Sequence, residues 1–537
     1  MCIITGSARE HALPGFECHR VIGSAKKSIL GLSSNMGRQN KFADHKKANE
    51  TPAGELFGVI LDDVIKTAEM SEAEWLKLST VPFELLAIPI SQTGHYPVTQ
   101  SGIDAAYKLT QQTWNAREDL RQTIARDAFN KLSFQAIGDT ICNMRSALAE
   151  FPENVDQPDA EIGDDVYVFL AEGYLENLEK LVGRGRPDVD RHIPCHLFDA
   201  NQAVHAFAVG PVQFRPRSDW LELFVKKADE RTLIQQVENG ELEMETLRSM
   251  CTDSDNGRYA ANAVSILTTL RNYSWVATIK MDGHEPVKSH QKASIIVGLA
   301  IDVVGLRFHR QDALRFTKSG RQHLYSEDRL ATSPDGRFLH GSSARIPGLA
   351  GKPGALAAKM VNEQSSLDAA GCILQRYLDG RRIGQALHLV ERWVNALYWV
   401  GEARREASDF MAVVNYGCAA DGLSGAGGDA HLMIAFAEAA FGPVDTPLPD
   451  GALSVAEAVH RVYREGRNKL AHGEVPGLLE DLAEPRATGE ALLTILFDAV
   501  TPVLADLLQN ELNLLALDKK LAYRLLQAKL IAKKASM

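Results

Sequence analysis

Near the carboxyl end of this 537-residue chain, residues 454–474 read SVAEAVHRVYREGRNKLAHGE and gather side chains able to break a phosphodiester. Arg461, Arg464 and Arg467 offer planar forks of donors that match phosphate oxygens. An imidazole is the side chain that most readily exchanges a proton near neutral pH, and His472 supplies one. Asn468 stands four residues before it, and on a helix such a pair projects together. No cluster of carboxylates accompanies them, which argues against a two-metal nuclease. RNA needs no metal to break, because its own 2′-hydroxyl is an adjacent nucleophile. What it needs is one proton removed, another delivered, and the charge on phosphorus steadied.

A helix must hold these residues. Ser454 and Glu457 have the spacing of a capping box, and Gly473 stands where a helix stop wants glycine. A helix over about 455–472 follows. At 100° per residue, Val455, Val459, Val462, Gly466 and Leu470 share one inward stripe. Arg461, Arg464, Asn468 and His472 fall on the opposite side. Arg467 lies at the flank and joins His472 only if the last turn is distorted or a partner surface meets it there. A basic stripe is commonly a solvated face, and a terminal imidazole can simply favour the helix dipole. Spacing alone therefore leaves three readings open: a nuclease, a non-catalytic RNA- or nucleotide-binding module, and a scaffold.

The rest of the chain narrows the class. Its net charge is −11, so a uniformly basic nucleic-acid coat is excluded and any such contact must be local. The composition is 45% apolar and 24% charged, enough to bury several cores. The cysteines number seven, are scattered and never form C-x-x-C, which fits a reducing cytoplasm rather than a disulfide framework. His192, Cys195, His196 and His205 suggest zinc by type, but no second ligand pair at standard spacing completes them, so no metal and no cofactor is expected. GLAGKPG at 348–354 lacks the glycine and the hydroxyl of a phosphate loop, and GLSGAGG at 422–428 reads as a helix end. Asp302 interrupts the apolar run 295–306, and Asp498, Pro502 and Asp506 interrupt 492–508. No membrane contact is expected, and the expected location is the cytoplasm.

The expected fold is mainly α, with an α-rich region over 1–151, an α+β region over 165–318, a loop or linker over 319–354 and a helical domain over 355–537. Helical spacing marks 101–150 and 166–182, and a charged pair of helices over 218–247 breaks near Asn239-Gly240. Ser71 and Glu74 have the capping-box spacing, and an apolar run follows over 85–90. The acidic stretch 151–165 reads as a linker, 273–281 as a strand and 293–306 as a buried helix. Leu504, Leu507, Leu508, Leu512, Leu515, Leu517, Leu521, Leu525 and Leu526 recur at helical spacing, as a bundle core or a subunit seam.

Arg467-Asn468-Lys469-Leu470-Ala471-His472-Gly473 resembles the R-N-x-x-x-H signature of HEPN domains, most closely the Apea-like branch of bacterial anti-phage proteins. Residues 385–404 resemble that branch's first helix and 410–425 its second, so the likeness spans about 375–537. The family's acidic residue on the second helix is usually glutamate; Asp421, beside Gly422, stands there here. The resemblance implies a four-helix bundle that pairs with a second copy and cleaves RNA without metal across the shared groove. His472 would handle protons, Arg467 would steady the phosphate and point toward the partner copy, and Asn468 would orient the 2′-hydroxyl or the ring. Asp421 would hold Arg467 or His472 in place, while Arg461, Arg464 and Lys469 would bind RNA. The implied protein is a toxin or abortive-infection effector, restrained by its amino-terminal region and released by a phage-derived trigger.

Overall fold

The computed structural model describes residues 51–68, 70, 87–91, 94–149, 164–199, 202–252, 257–321, 326–352, 354–380, 387–443, 445–448, 453–471, 481–510 and 519–535. The 71–74 capping box, the acidic stretch up to 163, His472, Gly473, Leu512, Leu515 and Leu517 lie outside them. The chain is mainly α, as expected, and divides into two compact units. One comprises 1–188 and 282–288; the other comprises 189–281 and 289–537. The boundary expected at 151–165 thus falls after Asp188, and the α+β region shares a unit with the carboxyl-terminal helices.

In the first unit, α1 (Ala53–Ala68), the hairpin β1 (Ala87–Ile90) and β2 (Gly94–Pro97), α2 (Gln100–Ala116), α3 (Glu118–Arg121), α4 (Arg126–Ala149) and α5 (Asp164–Arg184) enclose one core. Ile103, Ala106, Leu109, Leu120, Ile124 and Phe129, spaced helically in the sequence, are all buried in it.

The second unit is built on an antiparallel sheet in the order β4-β5-β6-β3-β7. Its strands are β3 (Val189–His196), β4 (Phe207–Val209), β5 (Val212–Pro216), β6 (Trp275–Met281) and β7 (Thr317–Lys318). The strand expected at 273–281 is the middle one, β6, and both its faces are covered because successive side chains point to opposite sides. Trp275, Ala277, Ile279 and Met281 enter the main core. Val276 joins Trp220, Leu247, Ala260 and Leu267 on the other face. That second core is made by α6 (Arg217–Phe224), α7 (Ala228–Glu238), α8 (Met244–Met250) and α9 (Gly257–Leu270), three helices where the sequence suggests two over 218–247. The break at Asn239-Gly240 is as expected, with Gly240 in the left-handed region at φ +76°.

The main core continues through α10 (Pro286–Leu306), whose 296–306 stretch is buried throughout, and past the short α11 (Arg310–Ala313). The expected loop at 319–354 contains a hairpin, β8 (Ser326–Thr332) paired with β9 (Phe338–Ala344). Every β9 residue is exposed, so neither strand carries the alternation of apolar and polar residues that betrays a half-buried strand.

Then come α12 (Ala355–Asn362), α13 (Gln364–Asp379), α14 (Leu387–Arg405), α15 (Asp409–Ser424) and α16 (Ala430–Phe441). A helix in three segments follows: α17 (Val455–Val459), a π-helical stretch His460–Asn468, and α18 (Lys469–Ala471). The described parts of the leucine-rich tail are α19 (Ala483–Asn510) and α20 (Lys519–Ala535). Leu504, Leu507 and Leu526 lie in the core of this chain's own bundle, and Leu521 is exposed. Among the described residues α19 alone is long and apolar enough to cross a membrane, and 56% of its most apolar window is buried inside the protein.

Two buried guanidinium groups tie helix ends together. Arg486 donates to the carbonyls of Ala403 and Glu406 at the end of α14 and to Asp409 at the start of α15. Arg404 donates to the carbonyls of Gly305 and Phe308 and to Glu490. Each thereby satisfies terminal carbonyls that a helix cannot satisfy itself.

Candidate functional site

The site forms where the 455–471 helix crosses α15. Ser454 and Glu457 close the expected capping box: the serine hydroxyl accepts from the Glu457 N–H, and the glutamate accepts from the Ser454 N–H. Val455, Val459, Val462, Gly466 and Leu470 are all buried, as their stripe requires. The two helices come close through small residues. A Cβ on Gly417 of α15 would lie 2.3 Å from the Arg467 Cβ, and one on Gly466 would lie 2.5 Å from a Val413 methyl.

The π-helical stretch changes which residues share a side. In a regular α-helix Tyr463 and Asn468, five apart, diverge by about 140° at 100° per residue. Bonding from i to i+5 winds the backbone less tightly and brings such a pair into line. Arg467, four residues after Tyr463, lies beside it as it would on an ordinary helix. Its guanidinium carbon stands 5.5 Å from the ring centre, and its Nη1 donates to Asn468 Oδ1 at 2.9 Å. The distortion lies upstream of the last turn, which is α-helical over Lys469–Ala471, and the expected meeting with His472 lies outside the described residues.

Arg467 is half-buried, with its Cβ close to Gly417 of α15. His472, the other partner implied for Asp421, lies outside the described residues, and Asp421 does not pair with Arg467. Its Oδ1 accepts from the Gly428 N–H at 2.9 Å and closes the turn after α15, as a short acidic side chain near a helix end readily does. Among the described residues no carboxylate pairs with Arg467. Of the expected RNA-binding trio, Arg464 and Lys469 are exposed, while Arg461 forms an ion pair with Glu484.

Tyr463 is the residue that sequence reasoning missed. It is 1% exposed. Burial pushes its phenol above the ordinary range against the pull of Arg467; Asp421 adds to the rise, and the neighbouring Asn468 side chain opposes it. The signal was its place four residues before Arg467, a helical neighbour. Tyr463→Phe keeps the ring under Arg467 and removes only the hydroxyl. It is expected to slow RNA cleavage about 3–10-fold, the worth of one net hydrogen bond of about 0.5–1.5 kcal/mol. Single-turnover cleavage rates check this, and an unchanged rate would remove the hydroxyl from the site.

The residues weighed for zinc are divided by strand geometry. Cys195 points into the main core, where burial raises its thiol pKa. His192 faces the other side, packed edge-on to Trp220 and Phe224 with its Nδ1 3.0 Å from the Thr278 hydroxyl. His196 Nδ1 meets Ser274 at 3.3 Å. Burial lowers the pKa of both imidazoles. Among the described residues no three His, Cys, Asp or Glu side chains converge as metal ligands. The glycine-rich 422–428 ends α15 as expected: Gly425 takes φ +66°, and its N–H bonds the Asp421 carbonyl.

No family model, curated protein or solved structure matches this chain.

Proposed function

We propose that this chain is a metal-independent RNA endonuclease of the HEPN type, Apea-like branch, acting in the cytoplasm as a toxin or anti-phage effector. One observation carries the proposal. Arg467 and Asn468 are hydrogen-bonded to each other beside Tyr463, on a helix that leads to His472, and no carboxylate among the described residues neutralises the guanidinium.

In such a reaction the RNA's 2′-oxygen attacks phosphorus and the bond to the 5′-oxygen breaks. The products are a 2′,3′-cyclic phosphate and a 5′-hydroxyl. One imidazole takes the 2′-hydroxyl proton, and a second, protonated one delivers a proton to the departing oxygen. A single chain brings one His472, so two copies paired across a groove provide both roles. Arg467 steadies the phosphoryl charge with its planar fork, and Asn468 holds that fork in orientation. The region before 355 would act as sensor or restraint, answering a phage-derived trigger.

The test is end-group chemistry. RNA incubated with the purified chain in chelator should acquire 2′,3′-cyclic phosphate ends, with a rate that rises more than linearly with protein concentration as copies pair. Intact RNA under conditions that support binding would favour the non-catalytic RNA-binding alternative.

A further inference from the structure

The last helix, α20, carries Lys519, Lys520, Arg524, Lys529, Lys533 and Lys534 and no acidic residue, in a chain of net charge −11. One stripe of it is covered, with Ala522, Leu526 and Leu530 each no more than 3% exposed, while Leu521 and Ile531 are exposed among the cations. Lys520 and Arg524, one turn apart, are exposed. The helix is seated beside the candidate site through Tyr523. A Cβ on Gly425 would lie 2.5 Å from the Tyr523 ring, and the Tyr523 hydroxyl approaches the Gly422 carbonyl at 3.5 Å. Burial raises the Tyr523 phenol to about 12, and Arg392 of α14 and Asp421 are the charged groups that act on it. The same turn borders Tyr463: a Cβ on Gly428 would lie 3.3 Å from the Tyr463 hydroxyl. One short turn, pinned by Asp421, therefore separates the basic helix from Arg467 and Asn468.

We propose that α20 is a track for the phosphate backbone of single-stranded RNA, leading the strand past the Gly425–Gly428 turn to Arg467. The proposal rests on the ribonuclease reading of that site and adds how the substrate is held outside it. A strand free to turn its ribose into line for attack by its own 2′-hydroxyl is unpaired, which sets the class. Seventeen helical residues span about 25 Å at 1.5 Å each, room for several phosphates. A basic amphipathic helix can also lie on an anionic membrane, but that mode uses the apolar face. What favours RNA here is the seat of α20 beside Arg467 and Asn468, across the Gly425–Gly428 turn, and vesicle binding is an outcome of the test below. Backbone binding by cations needs no base sequence and releases counterions, giving a salt dependence of about −0.7 per neutralised phosphate on single strands.

The experiment uses the full chain carrying His472→Ala, so that bound RNA survives, with and without Lys520→Gln and Arg524→Gln. Anisotropy of a short and a long labelled uridine oligomer is followed against salt. The double variant should bind the long oligomer several-fold more weakly, with a slope shallower by about 0.7 per cation removed, and bind the short one unchanged. Lys520→Arg with Arg524→Lys should restore the slope. An unmoved slope would overturn the track, as would loss of binding to phosphatidylserine vesicles in place of RNA. Cleavage by the chain with His472 intact separates the two proposals. If it cuts RNA and the slope does not move, the track fails alone; if it cuts none yet binds the long oligomer through α20, the nuclease reading fails and the track stands.

Discussion

Arg467→Ala is expected to cut RNA cleavage by about 10²–10³-fold, the usual cost of removing one pre-placed donor from a developing charge. The guanidinium is held for that role. It stacks on Tyr463, bonds Asn468 at 2.9 Å, and leaves the rest of its donor fork unclaimed by any described carboxylate. Its partners belong to the same helix, so truncation should leave the bundle folded, which circular dichroism would verify. Arg467→Lys should fail to restore the rate, because a point charge neither stacks on the ring nor presents two parallel donors. Parent-level cleavage by a folded Arg467→Ala chain would remove the guanidinium from the chemistry.

Gly417→Ala should destabilise the helical unit by about 1–3 kcal/mol, the range for forcing a methyl into a packed core. The new Cβ would meet the Arg467 Cβ at 2.3 Å and its Cγ at 2.8 Å, both close to the backbone and unable to swing away. Relief requires α15 and the 455–471 helix to part, which moves Arg467, so cleavage should fall along with stability. Gly422→Ala, five residues on in α15, is the control. Its nearest neighbour would be Ala396 at 3.8 Å, ordinary contact, so the helix should gain slightly from losing a glycine. Thermal melts of the two variants separate the cases. Equal melting temperatures would mean that the close crossing does not constrain the site.

What the sequence disclosed followed from periodicity and end signals. The 455–470 inward stripe, the Ser454–Glu457 cap and the stop after Ser424 have local causes and are present, and the 293–306 helix is buried continuously from Ile296 on, with Ile295 exposed. What it withheld depends on distant contacts or on departures from ideal geometry. A 100° rotation per residue cannot foresee a π-helical stretch, so the alignment of Tyr463 with Asn468, five residues on, was not legible. Asp421 has the type and place for an ion pair, yet a backbone N–H seven residues on takes its carboxylate. Among its described side chains the β8–β9 hairpin buries none that would pattern its strands. The leucine spacing in the tail drew attention from the cations between the leucines, whose meaning depends on where Tyr523 docks the helix.

The most direct measurement compares the purified chain with its His472→Ala variant on RNA in chelator, reading the ends produced. Cleavage by imidazole and guanidinium predicts 2′,3′-cyclic phosphate and 5′-hydroxyl ends from the parent and uncut RNA from a variant that remains folded and paired. Equal cutting by both, or cutting that stops when divalent ions are removed, would contradict it.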